Sequence, residues 1–291
     1  MTWRKRFKDK PVIMGILNIT PDSFFDGGSF FSLDQAIDHA LRMIEEGADI
    51  IDVGGESTRP GSEPTPIAEE LKRVIPVIEG IRKHSDVPLS IDTYKADVAQ
   101  AAVEAGVDVV NDISALSFDA RMADVVAGAD VPVVMQHIKG TPRDMQKNPS
   151  YADVTGEVKA FFVERIAFAK NHGIKVEQII IDPGIGFGKR LQDNLTIIRE
   201  LRVLKELGRP LLIGTSMKSF IGHILGTDNV AERAEGTLAS VAISLWNGAD
   251  MVRVHDVGRT RKVVLFMAAL MADGSMGVGQ CPDRFSQEPP R

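Results

Sequence analysis

The sequence predicts a single (β/α)8 barrel, and three observations carry that prediction. Short apolar runs alternate with longer amphipathic runs about eight times along the chain, and such alternation forces parallel strands joined by helical crossovers. The 291 residues suit one domain of about 250 residues, the usual size of such a barrel. Strand after strand is apolar until its last residue or two and then turns polar. In a barrel those endings form one ring at one mouth, the edge that carries chemistry. An eight-stranded doubly wound open sheet is the rival arrangement.

Taken in order, Val12–Leu17 reads as the first strand and ends at Asn18. Leu33–Glu46 reads as a helix, with Ser32 as N-cap and Gly47 beyond its end. Ile50–Val53 is the second strand and runs into Gly54–Arg59; Ile67–Lys83 is the second helix. Leu89–Ile91 ends at Asp92, and the helix Lys95–Ala105 stops at Gly106. Val109–Val110 leads to Asn111 and Asp112, and a weaker helix covers Ala120–Ala127. Val131–Met135 ends near Gln136 and His137, before the helix Val154–Asn171. Ile179–Ile181 ends at Asp182, and Asn194–Leu207 is helical. Pro210–Ile213 runs into Gly214–Ser219, and Ala231–Trp246 is helical. Met251–Val254 carries Arg253 and leads to His255, before the last helix, Arg259–Ala272. The expected layout is a basic arm over 1–11, the barrel over 12–272 and a flexible tail over 273–291.

Two connections are long. Asn18 to Ser32 follows the first strand and Gly54 to Pro66 the second. Both are rich in Gly, Pro and short polar residues, as loops that close over a ligand are. The stretch IIIDPGIGFGK, Ile179–Lys189, puts a carboxylate between a buried strand and a glycine-rich loop. It lacks the spacing of a phosphate-binding P-loop and of a dinucleotide fingerprint. A plain turn with a capping Asp explains it equally well when it is read alone.

The composition narrows the function. A net charge of −6 argues against a general nucleic-acid binder. One cysteine, Cys281, excludes an intramolecular disulfide framework and a multi-cysteine zinc site, and points to a reducing, cytoplasmic setting. No apolar run approaches membrane-spanning length, and the N-terminal MTWRKRFKDK lacks the apolar core of a signal peptide. No HExxH pair exists. His39, His84, His172 and His223 read as surface or helix-end residues, His137 as structural, and Lys189 as a solvated loop residue. Asp92 and Asn111 also have a bland reading as strand-end caps.

The stretches MGILNITPDSF, DVGGESTRPG, SIDTYKADV, VNDI, MQHIKGTPRDMQ, DPGIGFGK, KSFIG and RVHDV run in order from Met14 to Val257. Together they resemble the dihydropteroate synthase family of the pterin-binding barrel superfamily. The resemblance implies a transferase that joins a dihydropterin diphosphate to p-aminobenzoate. It implies that Asp92, Asn111, Asp182 and Lys218 hold the pterin, with Asp92, Asp182 and Lys218 serving the chemistry. Asn18, Arg253 and His255 would hold the diphosphate, and Asn18 would bind Mg2+. Thr58, Arg59, Pro60, Phe187 and Ser219 would receive p-aminobenzoate. A homodimer is implied through helices away from the early strands, and the apolar helix Val263–Met271 suits that role as well as it suits core packing.

Two positions depart from the family pattern. Met217 stands where an arginine is usual before the lysine, and Phe25 where a small polar residue is common. Two rivals share parts of the site. A corrinoid-dependent methyltransferase barrel would keep Asp92, Asn111 and Asp182 but lack the anion-binding set. A non-catalytic pterin-binding module would need neither Mg2+ nor closing loops.

Overall fold

The structure, a computed structural model, describes residues 10–20 and 33–271. Most of the basic arm, most of the first long loop with Phe25, and the tail with Cys281 lie outside the described residues.

Eight parallel strands form one sheet: β1 Val12–Asn18, β2 Ile50–Gly54, β3 Leu89–Asp92, β4 Val109–Asp112, β5 Val133–Gln136, β6 Ile179–Asp182, β7 Leu212–Ile213 and β8 Met251–Val254. Their order is β6-β5-β4-β3-β2-β1-β8-β7. A parallel bridge between Ile181 and Leu211 joins the two ends and closes the barrel. The open-sheet alternative is thereby excluded.

Strand side chains alternate between the two faces, so the register decides what fills the lumen. Met14 pairs with Ile50 and Arg253, Asp52 with Ser90, and Asp92 with both Gly54 and Asn111. On the inward side, Val12, Met14, Ile50, Val109, Val134, Ile180, Leu212 and Met251 form a dry plug. Two residues further along, the same faces present Asp52, Asn111, Gln136, Asp182 and Arg253. The lumen is therefore apolar at its base and polar at its carboxyl-end mouth. The outward residues, among them Ile13, Ile51, Val53, Ile91, Val110, Ile179, Ile181 and Val252, join the large core under the helices.

The helices are α1 Leu33–Glu45, α2 Ile67–Arg82, α3 Ala96–Glu104, α4 Met122–Ala129, α5 Val154–Asn171, α6 Leu191–Arg199, α7 Leu201–Lys205, α8 Ser219–Leu225, α9 Ala234–Trp246 and α10 Val257–Met271. Most lie within a few residues of expectation. Three differ for local reasons. The run expected as one helix from Asn194 starts earlier and breaks at Glu200, whose φ of −105° and ψ of 17° leave the helical region. The break lets Leu201 and Leu204, both fully buried, turn to the core. The short helix α8 after Lys218, absent from the sequence reading, ends on Gly226 in the left-handed region at φ 69°. The start of the run expected from Ala231 is a 3-10 turn, Val230–Arg233, capped by the Asn229 side chain. The last helix packs beside β1 as well as α9, so it lies next to the first strand rather than away from the early ones.

Candidate active site at the carboxyl-end mouth

The site begins with Asp182, the final residue of β6. It is 2% exposed, and its Oδ1 accepts the Gly184 amide at 2.7 Å. Burial raises its pKa to about 6, against the pull of that amide and of Lys218. The loop beyond it is fixed from beneath. Lys189 is 2% exposed, and its ammonium group donates to the Gly184 and Phe187 carbonyls at 3.0 Å and meets His137 Nδ1 at 2.9 Å. Lys189 is thus a buried pin and not a solvated loop residue. Removal from water lowers its pKa to about 7. The same burial, with the Lys189 charge beside it, keeps His137 neutral at a pKa of about 2, and its structural reading stands. Gly184 is required here: its φ is +68°, and a Cβ would lie 2.0 Å from the His137 carbonyl oxygen.

Lys218 approaches from the loop after β7. Its ammonium lies 4.3 Å from the centroid of the Phe187 ring, a cation–π contact. Desolvation lowers its pKa to about 8, with Arg253 adding to the shift. Phe187 is buried with Ile113 and Met145, which extend the apolar wall. Met217 adopts the left-handed region at φ 57°. Its amide donates to Thr237 Oγ1 at 3.1 Å and its carbonyl accepts from Arg233 at 3.1 Å. That kinked residue is held by backbone groups, which a change of side chain at 217 leaves in place.

On the opposite side, Arg253 lies inside the barrel, one residue before the end of β8. Its Nε donates to Asp52 at 2.5 Å and its Nη2 to Asp92 at 2.6 Å. Burial opposes the Arg253 charge, but Asp52 and then Asp92 outweigh it and hold the pKa above the ordinary arginine value. Burial raises Asp92 to about 7 even though Arg253 pulls it down, and Asp52 and Glu70 push it further up. Asn111, 2% exposed, donates from Nδ2 to Asp52 Oδ2 at 2.9 Å. Asn18 ends β1 beside Gly54, in register with it. His255 is exposed at the lip, and its Nδ1 lies 2.9 Å from Ser216 Oγ. Partial withdrawal from water, then the charges of Arg253, Lys218 and Arg59, hold its imidazole neutral.

The loop after β2 carries Thr58, half-buried, with Arg59 and Pro60 exposed. Its root is a buried charge cluster. Lys95 is ion-paired with Glu56 and Glu70 and also donates to the Thr65 carbonyl. Tyr94 donates to Glu56 at 2.5 Å, and Arg73 to the Gly55 carbonyl at 2.8 Å. The tip docks through the Gly61 amide on the Pro142 carbonyl at 2.9 Å. Ser219 is exposed at the start of α8.

The expected residues therefore share one mouth. Asn18, Asp92, Asn111, Asp182 and Arg253 line it from the strands, and Phe187, Lys218 and His255 from the loops, with Thr58, Arg59, Pro60 and Ser219 on the connections around it. Gln136, which reads as the end of the fifth strand, stands in the ring itself, in register with Asp182. Asp52 and Ser90 escaped the sequence reading. They pair with each other one pleat below the ring, where no strand-end signal marks them; only the two-residue alternation through Ile50–Asp52–Gly54 and Ser90–Asp92 picks them out. Asp112 and the Lys95 cluster escaped it too, because they act on loops. Asp112 accepts the Ser114 and Leu116 amides at 2.7 and 2.8 Å.

A parallel barrel whose polar mouth combines buried carboxylates, an amide and paired cations over an apolar plug belongs to the class of barrel enzymes that grip a flat polar heterocycle. Residues 14–255 match the family model described as "Pterin binding enzyme". The dihydropteroate synthase of Synechocystis sp. is 49% identical over 255 residues, 88% of this chain and 87% of that protein. The structure of Xanthomonas albilineans dihydropteroate synthase with 4-aminobenzoic acid is 45% identical, covers 91% of this chain and 94% of its own, and superimposes with a TM-score of 0.86. The same enzyme in complex with 7,8-dihydropteroate gives 42% identity, coverage of 91% and 95%, and a TM-score of 0.82. The chain belongs to the dihydropteroate synthase family.

Proposed function

We infer that this chain condenses 6-hydroxymethyl-7,8-dihydropterin diphosphate with p-aminobenzoate, giving 7,8-dihydropteroate and pyrophosphate in folate biosynthesis. One observation carries the reading. Acceptors for a heterocycle edge, on β3, β4 and β6, face cations on β8 and the β7 loop across one lumen.

An amino-pyrimidinone edge offers paired N–H donors, which suit a buried carboxylate such as Asp182. Asn111 and Asp92 meet the neighbouring ring atoms, and the Lys218 ammonium meets the ring carbonyl. The C–O bond between the exocyclic CH2 and the diphosphate breaks, and its electron pair leaves with the phosphate oxygen. The cation left on the CH2 and ring is stabilised by Asp92 and Asp182 more than the neutral ring is, which lowers the barrier. The aryl amine of p-aminobenzoate then forms the C–N bond and gives up a proton to water. It needs no strong base, because the electrophile is already activated.

Arg253 and His255 receive the diphosphate. A divalent cation fits beside Asn18, whose amide oxygen is a hard donor; Mg2+ commonly takes one or two protein oxygens and completes its shell with phosphate and water. Held there, it would supply positive charge to balance the diphosphate. Thr58, Arg59, Pro60, Phe187 and Ser219 form the p-aminobenzoate site, with the Phe187 ring as its apolar wall. A homodimer through α9 and α10 accounts for the exposed Ile243, Trp246, Phe266 and Leu270. A cytoplasmic setting fits the single cysteine. Among the described residues, no helix is long and apolar enough to cross a membrane.

The test is pyrophosphate release from dihydropterin diphosphate with Mg2+ and p-aminobenzoate. Release coupled to formation of dihydropteroate supports the reading. Tight heterocycle binding with no release would leave only a binding module.

A further inference from the structure

The polar layer below the rim contains a carboxylate with no role in the reaction as drawn so far. Asp52 is fully buried. It sits on β2, two strands from β4 on one side and two from β8 on the other. From there it spans the lumen. One oxygen, Oδ2, accepts both Asn111 Nδ2 at 2.9 Å and Arg253 Nε at 2.5 Å. Those two donors serve opposite ends of the substrate: Asn111 meets the heterocycle and Arg253 the diphosphate.

Each contact removes a freedom that matters. An asparagine amide can face either way, and its partners decide which. With Nδ2 on Asp52, the reversed amide would set two acceptors against each other. Asn111 therefore presents Oδ1, a buried atom with no partner among the described residues, as an acceptor for a ring N–H. Arg253 is held by Nε against Asp52, while Nη2 reaches Asp92 nearer the surface. When the heterocycle engages Asp92, the Asp52 contact keeps the guanidinium aimed at the anion.

We propose that Asp52 is a positioning residue that sets both Asn111 and Arg253, and so couples the heterocycle half of the site to the diphosphate half. The proposal rests on the functional reading above. Its signature is a sign that charge counting reverses. Removing a buried anion should tighten the binding of pyrophosphate if Asp52 acts only through its charge. If it acts by position, binding weakens.

The experiment is calorimetric titration of wild type, Asp52→Ala and Asp52→Asn with two separate probes, 6-hydroxymethylpterin and inorganic pyrophosphate with Mg2+. Loss of a hydrogen bond to a charged group makes Asp52→Ala bind each probe about tenfold more weakly. Binding stoichiometry and the KM for p-aminobenzoate stay unchanged, which a partly unfolded protein would not show. Asp52→Asn keeps an acceptor oxygen in place and recovers to within about threefold of wild type on the same scale. Asp52→Ser, which leaves a hydroxyl beside Ser90, carries the same expectation as Asp52→Ala if that variant does not fold. Unchanged or tighter pyrophosphate binding, or unchanged heterocycle binding, in Asp52→Ala or its Ser substitute overturns the proposal alone. A wild type that binds neither probe overturns the functional reading, and this proposal with it.

Discussion

Arg253 and Asp92 stand 161 positions apart in the chain, yet Nη2 of one lies 2.6 Å from Oδ2 of the other across the barrel mouth. The pair joins the two halves of the site before any substrate arrives. Arg253 also draws Asp92 toward the ionised form against the effect of burial. In Arg253→Ala, free hydroxymethylpterin should bind within a fewfold of wild type. Turnover of the diphosphate substrate should fall about a hundredfold, the scale on which loss of one charge-stabilising donor acts. Steady-state kinetics beside calorimetry separates the two. Normal turnover would remove Arg253 from the anion site.

The Asp92 carboxyl is raised from 3.8 to about 7, so the fold favours its neutral form. That contribution to stability is fully present below pH 3.8 and is lost as the pH rises through about 7. The melting-temperature difference between wild type and Asp92→Asn should therefore shift against wild type across this window and level off above it. Asp182, raised to about 6, has the same sign. Substrate affinity runs the other way, because the ring donors need ionised acceptors. The kcat/KM for the dihydropterin diphosphate should climb through the same pH range, and a flat profile would contradict the assignment.

Asp182→Asn replaces an acceptor-only group with one that can donate, against a heterocycle edge rich in donors. Binding of hydroxymethylpterin should weaken about tenfold to a hundredfold, as expected for a lost charge-assisted pair. The Gly184 amide still finds an acceptor in the Asn oxygen, so the fold should persist. Unfolding curves run beside the titration check this.

Lys189→Met strips three buried partners of their donor. At about 1–3 kcal/mol for each group left unsatisfied, urea unfolding should report a loss of several kcal/mol. Gly184→Ala meets the His137 carbonyl and a strained φ together, and should cost about 2 kcal/mol or more. A neutral outcome in either would mean that the loop is not pinned from beneath.

Lys95→Ala leaves Glu56 and Glu70 buried without their cation. Breaking such a cluster costs about 3–5 kcal/mol. The root of the β2 loop should loosen with it, raising the KM for p-aminobenzoate more than the KM for the dihydropterin diphosphate.

Most of the fold was legible because parallel barrel strands are apolar on both faces and their helices are capped by glycine. The ring of polar strand ends located Asn18, Asp92, Asn111 and Asp182 directly. It missed Asp52 and Ser90 because they lie one pleat deeper, flanked by apolar neighbours that belong to the outer core. Lys189 was misread because nothing local in a Gly-Phe-Gly-Lys run shows that the chain folds back over its own lysine. The helix Ser219–Leu225 was missed because seven residues give too short a pattern to stand out from a loop.

The barrel closes on a single bridge, Ile181 to Leu211, against a strand of only two residues. A hoop opens first at its thinnest weld. Asp182 and the Lys218 loop stand on either side of that seam, so slow amide exchange should fail earliest at Ile181. Any widening there would pull the Asp182 carboxylate and the Lys218 ammonium apart, and a heterocycle spanning them would act as a rivet on the scaffold that holds it.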